Sequence, residues 1–159
     1  MEEEGLEKIH ISLPNHWAID GESMWATPLG NDLFLIENVP FYAYGLNFHD
    51  IVRATPDSDD QIPEIRELVQ SSGHRTFRVF FKKHISRQRQ EEVLDSMKEL
   101  TVSYERANEI YFSLDMLPTG GYQAVFDELE NLTEKNILEF ETCEVREEGS
   151  FDDLYGDDG

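Results

Sequence analysis

The stretch Thr76-Phe77-Arg78-Val79-Phe80-Phe81-Lys82 decides how the second half of this chain reads. Phe77, Val79 and Phe81 recur every second residue, the period of a strand that buries one face. Ser86 then stands where a helix N-cap belongs. Val93, Met97, Leu100 and Tyr104 recur at helical spacing, which predicts a helix to about Asn108. Residues 110–117 read as a strand closed by Pro118, and Thr119, Gly120 and Gly121 as a turn. Tyr122, Val125, Phe126, Leu129 and Leu132 form the apolar stripe of a second helix. Residues 137–145 alternate as a last strand. The order β-α-β-α-β over residues 74–146 predicts an α+β sandwich of the ferredoxin-like kind, with two helices on one sheet face.

Upstream, residues 9–73 read as short strands between turn formers. Ile9, Ile11 and Leu13 alternate with polar residues until Pro14. Residues 23–27, 33–37, 41–46 and 50–54 are further β-like pieces. Pro28 and Gly30-Asn31-Asp32 supply a turn. Strands this short and close predict a small, curved sheet or a barrel-like part. Residues 62–70 fit two readings. Ile65, Leu68 and Val69 make a helical face after Pro63, whereas Ile65, Glu67 and Val69 alternate as a strand. Residues 1–8 are expected to be a flexible N-terminus. Residues 147–159, rich in acids and glycines, are expected to be a disordered acidic tail.

The charge is unevenly spread. The formal net charge is −21 over 159 residues, yet residues 75–90 hold six basic side chains and no acid. Residues 1–74 hold 14 acids against 3 bases, and residues 99–159 hold 17 against 3. Such a surface repels nucleic acid and anionic membrane and attracts basic partners. A hydrophobic content of 39% with 18 aromatics supports a folded core rather than a disordered acidic chain. The single Cys143 excludes an internal disulfide. The acidic start Met1-Glu2-Glu3-Glu4 is unlike a signal peptide, and no apolar run approaches a membrane span. These features predict a cytoplasmic protein.

Four stretches stand in a recognisable order: Glu22-Ser-Met-Trp-Ala-Thr-Pro-Leu-Gly30, Asn38-Val-Pro-Phe-Tyr-Ala-Tyr-Gly-Leu46, His49-Asp-Ile-Val52 and Ser72-Gly-His-Arg-Thr-Phe-Arg-Val79. Over about residues 22–145 the chain resembles a bacterial family known as domain of unknown function 4265. Its shared motifs are glycine, proline and aromatic punctuation. The resemblance implies a bacterial or phage-related intracellular α+β protein and brings no catalytic residue with it.

The chemistry-bearing residues point away from catalysis. The histidines His10, His16, His49, His74 and His84 lack the close pairing of a zinc site, so no metal and no cofactor is expected. Acids flank Cys143 and disfavour a thiolate nucleophile, which leaves a structural role. Residues 71–76 read as a tight turn, because the phosphate-loop pattern is missing. Phe41, Tyr42 and Tyr44 crowd around Pro40 and Gly45, either as an interface anchor or as core filling. The basic island either binds an anion or pairs with acids on neighbouring elements.

The expected function is a non-enzymatic acidic binding protein. The reading is an immunity protein or inhibitor, of toxin–antitoxin type, that covers a basic partner such as a nuclease-like toxin by charge complementarity. Its contacts would be Asp57, Asp59 and Asp60 in a loop, Asp127, Glu128, Glu130 and Glu134 on the second helix, and the aromatics Phe41, Tyr42 and Tyr44. No direct nucleic acid and no membrane is expected as partner. The alternative is a small-ligand-binding or regulatory domain of ferredoxin-like type, with residues 41–46 and the basic island 74–83 lining one pocket.

Overall fold

Ile9 and Ile11 point inward from strand β1 (Glu7–Ser12), and the same alternation carries through β2 (Gly21–Gly30), β3 (Leu33–Ile36), β4 (Ile51–Thr55) and β5 (Glu64–Gln70). Each of these strands pairs antiparallel with the next. A parallel bridge between His10 and Glu64 joins β5 to β1 and closes a five-stranded barrel. The computed structural model describes residues 5–16, 19–59, 61–146 and 148–153. It divides into two compact units, Met1–Ser72 with Cys143–Gly159, and Gly73–Thr142.

The barrel interior holds Ile9, Met24, Ala26, Ile36, Val52 and Ala54, all essentially without solvent access. Between β2 and β3 both Asn31 (φ 57°) and Asp32 (φ 65°) are left-handed, the signature of a type I′ hairpin turn. Residues 62–70 resolve as the strand β5. Its register with β4 slips twice at bulges, and only Ile65 is buried, which leaves Leu68 and Val69 exposed. That explains why its sequence carries no clear stripe.

Three expectations for this unit are corrected. The flexible N-terminus expected over residues 1–8 is cut short, because Glu7 and Lys8 pair with Ala26 and Trp25 in β1. Residues 41–46 form bends and irregular backbone, not a strand. Gly45 is left-handed (φ +81°), and an added Cβ there would run into the Val145 side chain. The expected disordered tail is also corrected for residues 148–153. Phe151 packs against the barrel core, its carbonyl accepts the Tyr44 N–H at 2.9 Å, and Asp152 accepts the Asn15 N–H at 2.8 Å. The remaining tail residues, 147 and 154–159, lie outside the described residues. The return starts at Cys143, whose Sγ donates to the carbonyls of Ala43 (3.3 Å) and Leu46 (3.4 Å). Residues 143–146 therefore group with the barrel, not with the preceding sandwich.

The second unit runs β6 (Arg75–Phe81), α1 (Arg87–Met97), a one-turn 3-10 helix (Lys98–Leu100), β7 (Val102–Arg106), β8 (Tyr111–Met116), α2 (Tyr122–Glu134) and β9 (Leu138–Thr142). Its sheet has the order β7-β8-β6-β9 with every neighbour antiparallel. The expected β-α-β-α-β order missed β7. The first helix ends at Met97, Leu100 sits in the 3-10 turn, and Thr101 (φ 60°) reverses the chain. Tyr104 then belongs to a strand paired with Leu114. The apolar residues at 93, 97, 100 and 104 keep helical spacing by coincidence across three different elements. Phe77, Val79 and Phe81 pack with Val93, Leu94 and Met97 of α1 and with Val125 and Leu129 of α2 in one core cluster. The architecture is mixed α+β, a closed barrel plus a second sheet with two helices.

Among the described residues no helix is long and apolar enough to cross a membrane. Among those residues no cluster of His, Cys, Asp and Glu could hold a metal ion.

Candidate functional site

Helix α2 buries Val125, Leu129 and Leu132 and turns Asp127, Glu130 and Glu134 to solvent. Positions i, i+3 and i+7 lie on one helix face, opposite the buried stripe. Glu128 flanks that face, half-buried. Asp127 accepts a hydrogen bond from Gln123 Nε2 at 2.8 Å. Among the described residues none of these four acids has a cation within ion-pair distance. Glu134 is the last residue of α2, and no basic residue stands in the last turn. The helix dipole is negative there and opposes an acid. Glu130 and Glu134, four apart, repel each other as well.

Helix α1 is the contrast. Its acids Glu91, Glu92 and Asp95 lie 3.4–3.5 Å from Arg87, Arg89 and Lys98 respectively. Elsewhere Lys82 Nζ donates to Glu139 at 2.6 Å, and this contact and the lysine charge hold the Glu139 carboxyl below its ordinary range. Arg78 is fully buried on the sheet, with Glu141 at 3.5 Å. The Arg75 guanidinium stacks over the Tyr122 ring. Much of the basic island is therefore engaged inside its own unit.

In the barrel unit Asp57 and Asp59 are exposed. Asp57 accepts from Arg66 Nη2 at 2.7 Å, which also donates to the Thr55 carbonyl. Asp57 borders an open hollow of about 410 Å³ with His10, Ser12, Gln61, Ile62 and Glu64. His10 Nδ1 contacts Glu64 at 2.8 Å. Asp60, the third acid expected in this loop, lies outside the described residues.

The aromatic segment is fastened to the barrel unit. Tyr44 is 0% exposed and cannot meet a partner, which corrects its assignment as a contact residue. Phe41 and Tyr42 are half-buried, and Tyr42 packs on the barrel core. Glu22 explains the segment. Its buried carboxylate accepts the backbone N–H groups of Phe41 (2.6 Å), Tyr42 (3.0 Å) and Ala43 (3.0 Å).

Sequence reasoning missed three polar anchors. Glu22 shares the strand parity of inward-facing Met24 and Ala26, so its burial was signalled by position. Asp50 is fully buried. Burial pushes its carboxyl up, against the N–H groups of Ser72 and Asn47, each at 2.8 Å. His74 Nδ1 meets Asp115 at 2.9 Å across the second unit, and no local pattern signals that pair.

A family model described as Domain of unknown function (DUF4265) matches residues 22–140. No curated protein matches the chain. A solved structure titled as a novel crystal structure of a hypothetical protein from Neisseria gonorrhoeae is similar, at 20% identity and a TM-score of 0.72. The match covers 87% of this chain and 94% of that one, and it speaks to the fold alone. The chain belongs to the DUF4265 family.

Proposed function

We propose that this member of the DUF4265 family is a non-enzymatic acidic binding protein that captures a basic protein partner through the outer face of α2. The specific reading is an immunity protein or inhibitor that covers the cationic cleft of a nuclease-like toxin in the bacterial cytoplasm. One observation carries it. The acids of α1 are matched by cations on that helix or in the 3-10 turn that follows it, whereas Asp127, Glu128, Glu130 and Glu134 on α2 have no such match. These charges lower the stability of their own helix through the dipole and through mutual repulsion. A surface that costs stability without an internal gain is what charge-steered capture requires. Carboxylates would stand in for the phosphates of the toxin's substrate.

We also read the second unit as a ferredoxin-like split β-α-β arrangement. Its β-α-β-β-α-β order and antiparallel sheet support that reading.

The test is capture of basic proteins from the host lysate on the immobilised chain, then stopped-flow association with the purified captured protein. The reading expects one basic protein, lost when Asp127, Glu130 and Glu134 are all made neutral. Capture that survives the triple neutralisation, or no captured basic protein, overturns it.

A further inference from the structure

The second unit also carries a concave place of mixed charge, independent of the acidic face. Lys83, Ile85, Arg87, Gln90, Glu109 and Ile110 line a pocket of about 330 Å³ beside the first turn of α1. That volume lies at the small end of ligand pockets, which run from roughly 300 to 1,000 Å³.

Gln90 is the feature that asks for a ligand. It is 4% exposed, and its Oε1 is buried without a hydrogen-bond partner. Buried amides are nearly always satisfied in native proteins. The other groups around the pocket are similarly available. Lys83 is exposed, and among the described residues it has no ion-pair partner. Arg87 reaches Glu91 only at 3.5 Å, with both side chains more than half exposed, a weak pair. The first turn of α1 holds no acid, so its positive dipole end is not offset locally. Glu109 sits on a pinned turn. Asn108 Oδ1 accepts the N–H groups of Ile110 (2.9 Å) and Tyr111 (3.0 Å), and Arg106 Nη1 donates to the Asn108 carbonyl at 3.2 Å. Ile85 and Ile110, both half-buried, supply an apolar wall.

We infer that this pocket binds a small zwitterion of amino-acid size. The ligand carboxylate meets Lys83 and Arg87, where a charge-assisted hydrogen bond is strongest. Its ammonium faces Glu109, and rotation of the Gln90 amide, whose Oε1 is sealed and unpartnered, brings that oxygen to it. Its side chain lies on Ile85 and Ile110. Glu109 disfavours a multiply charged anion such as phosphate, and the lysine–arginine pair disfavours a simple amine.

The probe is a panel of the free amino acids, with acetate, inorganic phosphate and methylamine as controls. Binding is followed by calorimetry and by amide shifts of residues 83–90 and 108–110. The expected result is at least one amino acid with Kd below about 1 mM, weakened about tenfold by Gln90→Leu and by Lys83→Met. Lys83 is a surface residue, so its variant tests the site even if Gln90→Leu fails to fold. Acetate or phosphate binding as tightly as the best amino acid overturns the zwitterion. No amino acid moving these amides overturns the site.

Discussion

The Glu22 carboxylate accepts the backbone N–H of Phe41 at 2.6 Å, and so a buried charge on a barrel strand holds the aromatic turn in place. The same carboxylate takes the N–H groups of Tyr42 and Ala43. Glu22→Ala is expected to leave these donors without their acceptor and to cost about 2–4 kcal/mol in urea melts. A change under about 0.5 kcal/mol, the scale of ordinary surface substitutions, would show that the clamp does not hold the turn.

Acidity should act on Asp50 with a definite sign. Burial raises its folded-state pKa above the ordinary carboxyl range. A raised carboxyl pKa means the native state takes up its proton first. The stabilisation is then fully present below the unfolded value, about 3.9, and is lost as pH rises through the elevated one. The stability of the wild type relative to Asp50→Asn should therefore rise as pH falls from about 7 towards 4. Charge repulsion elsewhere is common to both proteins and cancels. Paired denaturant titrations check this, and a difference that shrinks with acid contradicts it.

Leu129 ties α2 to the second-unit core at 1% exposure. Leu129→Ala is expected to cost about 2–5 kcal/mol. Leu100→Ala should cost less, because Leu100 is only half-buried in the 3-10 turn. Equal losses in thermal melts would mean that the helix boundary at Met97 is misplaced.

The tail return makes a fourth stability test. Phe151→Ala is expected to cost about 1–3 kcal/mol, since a half-buried phenyl ring leaves the barrel core. An unchanged melting temperature in this variant would detach the segment from the barrel.

The acidic face gives opposite signs for stability and association. Asp127→Asn with Glu130→Gln and Glu134→Gln should raise stability by about 0.5–1 kcal/mol, because dipole and like-charge terms are relieved. Association with the captured basic protein should slow, and the difference should shrink as salt shortens the screening length to about 8 Å or less. Neutralising Asp57 and Asp59 is the matched control. If the loop variant slows association and the helix variant does not, the binding face belongs to the barrel.

The acids of α2 were legible in the sequence, because a helix repeats its faces within a few turns, and Lys83 and Arg87 were legible as part of the basic island. The residues at 125, 129 and 132 declared the buried face, and 127, 130 and 134 followed as the outer one. Short strands from Ile9 onward likewise announced a small curved sheet. Gln90 was not legible, since nothing local says that an amide between exposed Arg89 and Glu91 is buried.

By itself, then, the sequence determined the periodic parts: the strands around Phe77 and Ile9, the stripe of α2, the net charge and the family. Tertiary structure alone decided what depends on distant pairing. His10 meets Glu64 across 54 positions, Cys143 meets Ala43 across 100, and β7 exists because Val102 and Tyr104 find β8. Periodicity reports which face of an element is apolar. It carries no information about which remote element will cover that face, and packing free energy makes that choice.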